Sequence, residues 1–167
     1  MAQLLVSVHA LTLAWLVPGL AVAVLFFIPE RKQTAIKAVS LAAALFCLAL
    51  TLALFFAYDP AAGGLQFVER QAWIPLLGVN YFLGVNGINV VLLLLTGVII
   101  TAGVLASWDL AVRPKEFFIL LLTLVTGVFG VFTAYNLFLF FLFLFCFFPF
   151  FLFVSLLSVA LEQLLRK

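Results

Sequence analysis

Residues 117–161 run for 45 positions with no acid or base other than a tyrosine. As a single helix, at about 1.5 Å per residue, such a run would reach about 67 Å, roughly twice the hydrocarbon thickness of a bilayer. It must turn back once, and Tyr135-Asn136, its most polar point, divides it near the middle. The division predicts helices at about Phe117–Ala134 and Leu137–Val159, antiparallel neighbours because the turn is tight. Three further runs are similarly bare. Residues 1–29 hold only His9 before the charged loop, residues 38–58 hold only Tyr58, and residues 71–108 hold only Tyr81. They predict helices at about Leu4–Ile28, Ala38–Ala57 and Gly84–Ala106, the last beginning beyond Trp73, Pro75 and Gly78. With 68% hydrophobic and 8% charged residues, against about a quarter charged in soluble domains, the chain is expected to belong to the bilayer. The expected fold is an all-α, polytopic membrane protein with about five transmembrane helices. It forms a single membrane domain over 1–167, with an outer loop at 58–82 and no soluble domain.

The basic residues then predict an orientation. In a five-helix arrangement Arg31, Lys32, Lys37, Arg113, Lys115, Arg166 and Lys167 fall on one side, and only Arg70 falls on the other. The N-terminus is expected outside and the C-terminus in the cytoplasm. Tyr58, Tyr81 and Tyr135 sit at predicted outer helix ends and Trp108 at an inner one, the headgroup level that amphipathic rings favour. In the outer loop Asp59-Pro60 and Gly63-Gly64 are turn chemistry, with strand pieces expected near Leu65–Val68 and Gln71–Ile74. No positive charge precedes the first apolar run and no small-residue cleavage site follows it, so it reads as a retained helix rather than a signal peptide.

Few residues offer chemistry. Ionisable groups at membrane depth are functional candidates because burying charge in lipid is costly. His9 is such a candidate as a proton carrier, against a solvated histidine at the interface. Asn86 and Asn89 could bond between helices or hold water, against a capping role at a helix start. Glu30 to Lys32 and Arg113 to Glu116 are charged clusters with Lys115 and Glu116 as weak candidates, against solvated anchors. Pro114 suits a first helical turn, and Glu116 there suits the helix dipole. Gly103-x-x-x-Ser107, Gly127 and Gly130 offer flat faces for helix packing. Cys47 and Cys146 lie in apolar runs without partners at ligand spacing and read as small buried hydrophobes. No Walker loop, dinucleotide fingerprint, HExxH, or haem or iron–sulfur spacing occurs. The expectation is no catalytic centre, no cofactor and no metal. The net charge of +2 gives no reason to expect nucleic acid.

Several blocks occur in order: Trp73-Ile74; Tyr81-Phe82-Leu83-Gly84-Val85-Asn86-Gly87-Ile88; Arg113-Pro114-Lys115-Glu116-Phe117-Phe118; and Asn136-Leu137-Phe138-Leu139-Phe140-Phe141. Together they resemble the N-terminal part of the M-type (chain 4-like) membrane subunit of NADH:quinone oxidoreductase, respiratory complex I. That family is itself similar to subunits of cation/proton antiporters. The resemblance runs from about Met1 to Phe143. It implies a membrane-arm subunit without a redox centre, working beside other membrane-arm subunits in the inner (plasma) membrane of a bacterium. It implies coupling of quinone reduction to proton translocation through buried glutamate, lysine and histidine residues. Family members are much longer, with paired inverted five-helix repeats.

The departures from the family are specific. Asn86 stands where the family usually has Asp, and an amide cannot titrate. The family's helix five carries an aromatic–Glu pair ahead of Pro-Met. Counting forward from Asn136 puts that glutamate at Phe145, and counting back from Pro149 puts it at Leu144, so the alignment breaks there. Residues 137–153 hold ten Phe in 17 positions, and the tail from Ser155 to Lys167 is unlike the family. Two origins are expected to compete: a reading frame shifted near residue 142, or a divergent short protein whose last helix is a plain anchor. Beyond Arg70 the acids and bases are Asp109, Arg113, Lys115, Glu116 and Glu162, besides the terminal Arg166 and Lys167. All are expected at or near the cytoplasmic surface. The chain alone is therefore expected not to translocate protons.

Overall fold

A computed structural model describes residues 9–74, 79–108, 113–145 and 152. Four helices carry the fold: α1 (Ala10–Phe27), α2 (Gln33–Ala57), α3 (Gly87–Ala106) and α4 (Pro114–Thr133). Each is long and apolar enough to cross a membrane. Between α2 and α3 lies an antiparallel hairpin of β1 (Gln66–Ile74) and β2 (Val79–Val85). Residues 137–145 are helical again.

Most predicted boundaries hold within a few residues, and the differences have causes. The predicted segment Leu4–Val8 of the first helix lies outside the described residues. So do Cys146, the tail and most of the fifth span. α2 begins at Gln33 rather than Ala38. Lys37 does not stop it, because its ammonium lies 6.0 Å from the Trp108 ring centroid, a cation–π contact at the helix end. α3 begins at Gly87 rather than Gly84, because Gly84 and Val85 finish β2 and Val85 pairs with Gln66. The two expected strand pieces are one strand, and β2 was not expected at all. α4 starts at Pro114, three residues before the predicted start. Its N-cap Arg113 has φ 50, a left-handed conformation costly for a residue with a Cβ.

Two seams hold the bundle. α1 packs mainly on α4, and α2 mainly on α3. On the second seam Gly97 lies flush against α2. A Cβ there would come 2.6 Å from Thr51 Oγ1 and 3.3 Å from the Leu48 Cα. Gly103 is different, since its added Cβ would meet only Leu121, at 3.8 Å, an ordinary contact. Pro18 lies inside α1 and has no N–H for the Ala14 carbonyl four residues back. The Cys47 thiol, buried on α2, points at that carbonyl from 4.0 Å. The buried hydroxyls of Ser40, Thr51, Thr101, Thr123, Thr126 and Thr133 each donate to a carbonyl one turn back, so none is left unpaired in an apolar surround.

Residues 134–136 break the long apolar run, as its polarity predicts. The Tyr135 N–H donates to the Phe82 carbonyl at 3.0 Å, and Asn136 Nδ2 to the Asn80 carbonyl at 2.8 Å. The hairpin therefore anchors the turn. Beyond it the chain returns along α4, where Gly130 gives the Phe143 ring its seat: an added Cβ would lie 2.3 Å from that ring. The molecule has two unlike ends. One carries the hairpin, the start of α1 and the end of α4. The other carries the loops with Glu30 to Lys32 and Arg113 to Glu116.

Candidate functional site

The hairpin end holds a buried acid that hydropathy did not single out. Glu69 is 8% exposed and points from β1 at the start of α1. Strand parity explains how it gets there. Gln66 pairs with Val85 and Glu69 with Leu83, so three steps on β1 face two on β2. The extra residue is accommodated at Phe67, whose φ is 53. Such a bulge re-aims the side chains that follow, and Glu69 shares the face of fully buried Leu83. Without the bulge, Val68 would point inward and Glu69 outward.

The carboxylate completes a helix that cannot cap itself. His9 is the N-cap of α1, with φ 65 and no side-chain cap bond. Glu69 Oε1 accepts the Leu11 N–H at 2.8 Å and the Thr12 N–H at 3.4 Å. These are N2 and N3, the donors an N-cap side chain ordinarily satisfies. Negative charge also suits the positive end of the helix dipole. The second oxygen, Oε2, accepts the Thr12 hydroxyl and lies 3.8 Å from His9 Nδ1. Thr12 Oγ1 is 2.8 Å from the Tyr81 hydroxyl, and Trp15 Nε1 donates to that hydroxyl at 3.2 Å. Burial, the largest influence, pushes the Tyr81 phenol above its ordinary range. The Thr12 and Trp15 hydrogen bonds oppose that shift, and the nearby Glu69 charge adds to it. Tyr81 thus stays a neutral O–H at physiological pH.

The sequence-predicted residues are scattered by comparison. His9 alone joins this cluster, with its side chain half exposed. Asn86 is the N-cap of α3, accepting the Asn89 N–H at 2.9 Å. Lys115 and Glu116 are at the opposite end, where Lys115 Nζ donates to the Phe26 carbonyl at 3.2 Å and Glu116 pairs with Arg113 at 3.3 Å. They line a polar cleft of about 290 Å³ with Glu30, Gln33, Arg113 and Pro114, whose two acids and two bases offset one another. Leu144 and Phe145 turn away from the bundle core. Phe145 is 66% exposed, and Leu144 edges an apolar groove of about 150 Å³ along α4. Phe143, between Gly130 and Trp15, is the inward residue of that turn.

Sequence reasoning missed Glu69 because it used charges to mark where spans stop. A signal was present: a lone acid inside an aromatic-flanked stretch, Phe67 to Trp73, whose strand character places alternate residues inward. Among the described residues no group of three or more His, Cys, Asp or Glu could hold a metal ion.

Four spanning helices and a helical return define a polytopic α-helical membrane protein. No protein-family model matches the chain. Individual relatives do. It is 39% identical over 110 residues to NAD(P)H-quinone oxidoreductase chain 4 1 of Synechococcus elongatus, covering 65% of this chain and 21% of that protein. It is 37% identical over 116 residues to NAD(P)H-quinone oxidoreductase chain 4 of Prochlorococcus marinus, covering 68% and 21%. Against chain 4 2 of Thermosynechococcus vestitus it is 34% identical over 115 residues, covering 68% and 22%. About two thirds of this chain is therefore homologous to chain 4 of NAD(P)H-quinone oxidoreductase, a complex I subunit. The chain spans about a fifth of the length of these relatives.

Proposed function

We propose that the chain is a membrane-arm subunit, or an N-terminal piece of one, of a proton-translocating NADH:quinone oxidoreductase. The observation that carries this reading is the 39% identity over 110 residues to a chain 4 subunit. Its partners are then the other membrane-arm subunits and the lipid around them, in the inner (plasma) membrane of a bacterium. The charged end faces the cytoplasm and the hairpin end faces outward, because the loops at 30–37 and 113–116 concentrate Lys and Arg while the hairpin holds only Arg70. Residues 1–167 act as one membrane domain.

The chain by itself does not translocate protons on this reading. A relay needs exchanging groups at membrane depth. Asn86 is an amide that caps α3, and neither Leu144 nor Phe145 can hold a proton. His9 and Glu69 lie at one end, with Lys115 and Glu116 at the other. The test is co-purification of the tagged chain from its native membrane, followed by quinone-reductase assay. Recovery of active complex supports the reading, and recovery of no respiratory subunit sinks it. Purified chain in liposomes should give proton flux no higher than that of empty liposomes.

A further inference from the structure

We propose that Arg70 and the exposed rings around it form a phospholipid site on the hairpin, with the guanidinium holding the lipid phosphate at the level where the spans end. The inference rests on the spanning helices and is independent of any larger assembly.

The level of the hairpin follows from the turn it anchors. α4 ends at Thr133 and the helical return begins at residue 137, so Tyr135 between them lies at a membrane surface. Phe138 is in the first turn of the return, and the Trp73 ring meets it edge-on with centroids 6.2 Å apart. The Phe82 ring meets Tyr135 in the same way at 5.8 Å, and the Arg70 guanidinium lies 5.6 Å from the Phe82 centroid. These contacts tie the hairpin to the level where lipid chains give way to headgroups, about 15 Å from the bilayer centre. Trp73, Tyr135 and Phe138 remain exposed there, and rings with an apolar body and a polar tip favour that level.

The donors left over fit a phosphate. Arg70 is exposed, and pairing opposite Phe82 turns it away from the buried face. Its sequence neighbour Glu69 is committed to the α1 amides. Among the described residues the ion pairs are His9–Glu69 and Arg113–Glu116, so no acid neutralises Arg70. The Phe82 ring holds the guanidinium by a cation–π contact and leaves it a fork of N–H donors, which matches a phosphate bidentately. Among the described residues the Trp73 indole N–H and the Tyr135 hydroxyl also have no protein acceptor. The patch thus offers one cation, two further donors and apolar rings. A free phosphate in water has no use for the rings. A phospholipid uses both, with its phosphate on Arg70 and the top of its chains on Trp73 and Phe138. Between Lys37 and Arg113, Arg70 is the sole Lys or Arg, so one phosphate is the expected load.

The test uses the full chain in phosphatidylcholine nanodiscs, isotope-labelled at the arginine guanidinium nitrogens. Solid-state NMR reads their dephasing by lipid phosphorus, and Arg70→Lys identifies the Arg70 signal by its loss. Exposed Arg31 at the opposite end, identified by Arg31→Lys, is the reference for casual lipid contact. The Arg70 signal should be dephased at least twofold more than that of Arg31. It should also exceed, at least twofold, its own dephasing in maltoside detergent with added inorganic phosphate. Phe82→Leu, which removes the ring beside the guanidinium, should reduce the effect at least twofold. Trp73 emission, isolated by subtracting Trp73→Phe, should be quenched at least twofold more by chains brominated near the headgroup than by chains brominated near the tail. Arg70 dephasing no greater than that of Arg31 would overturn the site. So would equal dephasing by inorganic phosphate, which makes it a site for the free ion. Trp73 emission untouched by bromine would overturn it as well, because the patch then faces water or another protein.

Discussion

The two ends of the bundle both gather charged residues at helix starts, and they use them in opposite ways. At the hairpin end one acid is buried, and it satisfies the first turn of α1 from a different element. At the other end Glu116 lies in the first turn of its own helix, α4, and pairs with Arg113 while both side chains remain well exposed. The same favourable meeting of anion and helix dipole is a tertiary bond in one place and a local, solvated one in the other. Sequence distance and solvent access, more than the residue type, set what each is worth.

The comparison can be broken most sharply by removing the acids. Glu69→Leu should cost about 3 kcal/mol, since it leaves two helix amides and a hydroxyl buried without their acceptor. Thermal unfolding in detergent measures it, and a loss comparable to that of an exposed acid would erase the contrast. Gly130→Ala should come next, displacing the Phe143 ring at a cost of about 2 kcal/mol. Trp fluorescence, through the Trp15–Phe143 contact, should change with it. Asn86→Ala removes an ordinary local cap and should cost about 1 kcal/mol. Glu116→Gln should be smallest, within about 0.5 kcal/mol, because its ion pair is solvated. Arg113→Gly should be neutral or stabilising, as it relieves the φ of 50. A phenol titration sharpens the picture independently. Because burial raises Tyr81 in the folded state, its contribution is full below the ordinary phenol range and is lost as pH rises towards the folded value. Tyr81→Phe should remove a phenolate step lying above the ordinary phenol range in the ultraviolet titration.

Much of the fold was legible because bilayer spanning is a long, averaged property. The bare runs placed four spans, and the polarity of Tyr135-Asn136 located the turn. Asn86 and Pro114 were legible as punctuation, because caps and first-turn prolines are local signals. The hairpin was only half legible. β2 runs straight into α3, and Gly84-Val85 is as apolar as the helix that follows, so composition marks no boundary between them. Gly97 was hidden for a related reason. One glycine in an apolar helix means little until its neighbour is known, and the Gly103-x-x-x-Ser107 spacing drew notice to a looser contact instead. Glu69 was hardest, since its placement depends on one extra residue in a strand, and hydropathy averages cannot register parity.

That parity has a consequence for how this loop tolerates change in length. Between Gln66 and Glu69 the strand takes three steps against its partner's two, so deleting one residue there would close the bulge and keep Glu69 opposite Leu83, facing inward. Losing both Phe67 and Val68 would leave one step against two and bring the acid opposite Gly84, on the outward face. This short stretch should therefore accept the loss of one residue and reject the loss of two, a rule on spacing that no inventory of residue types would reveal.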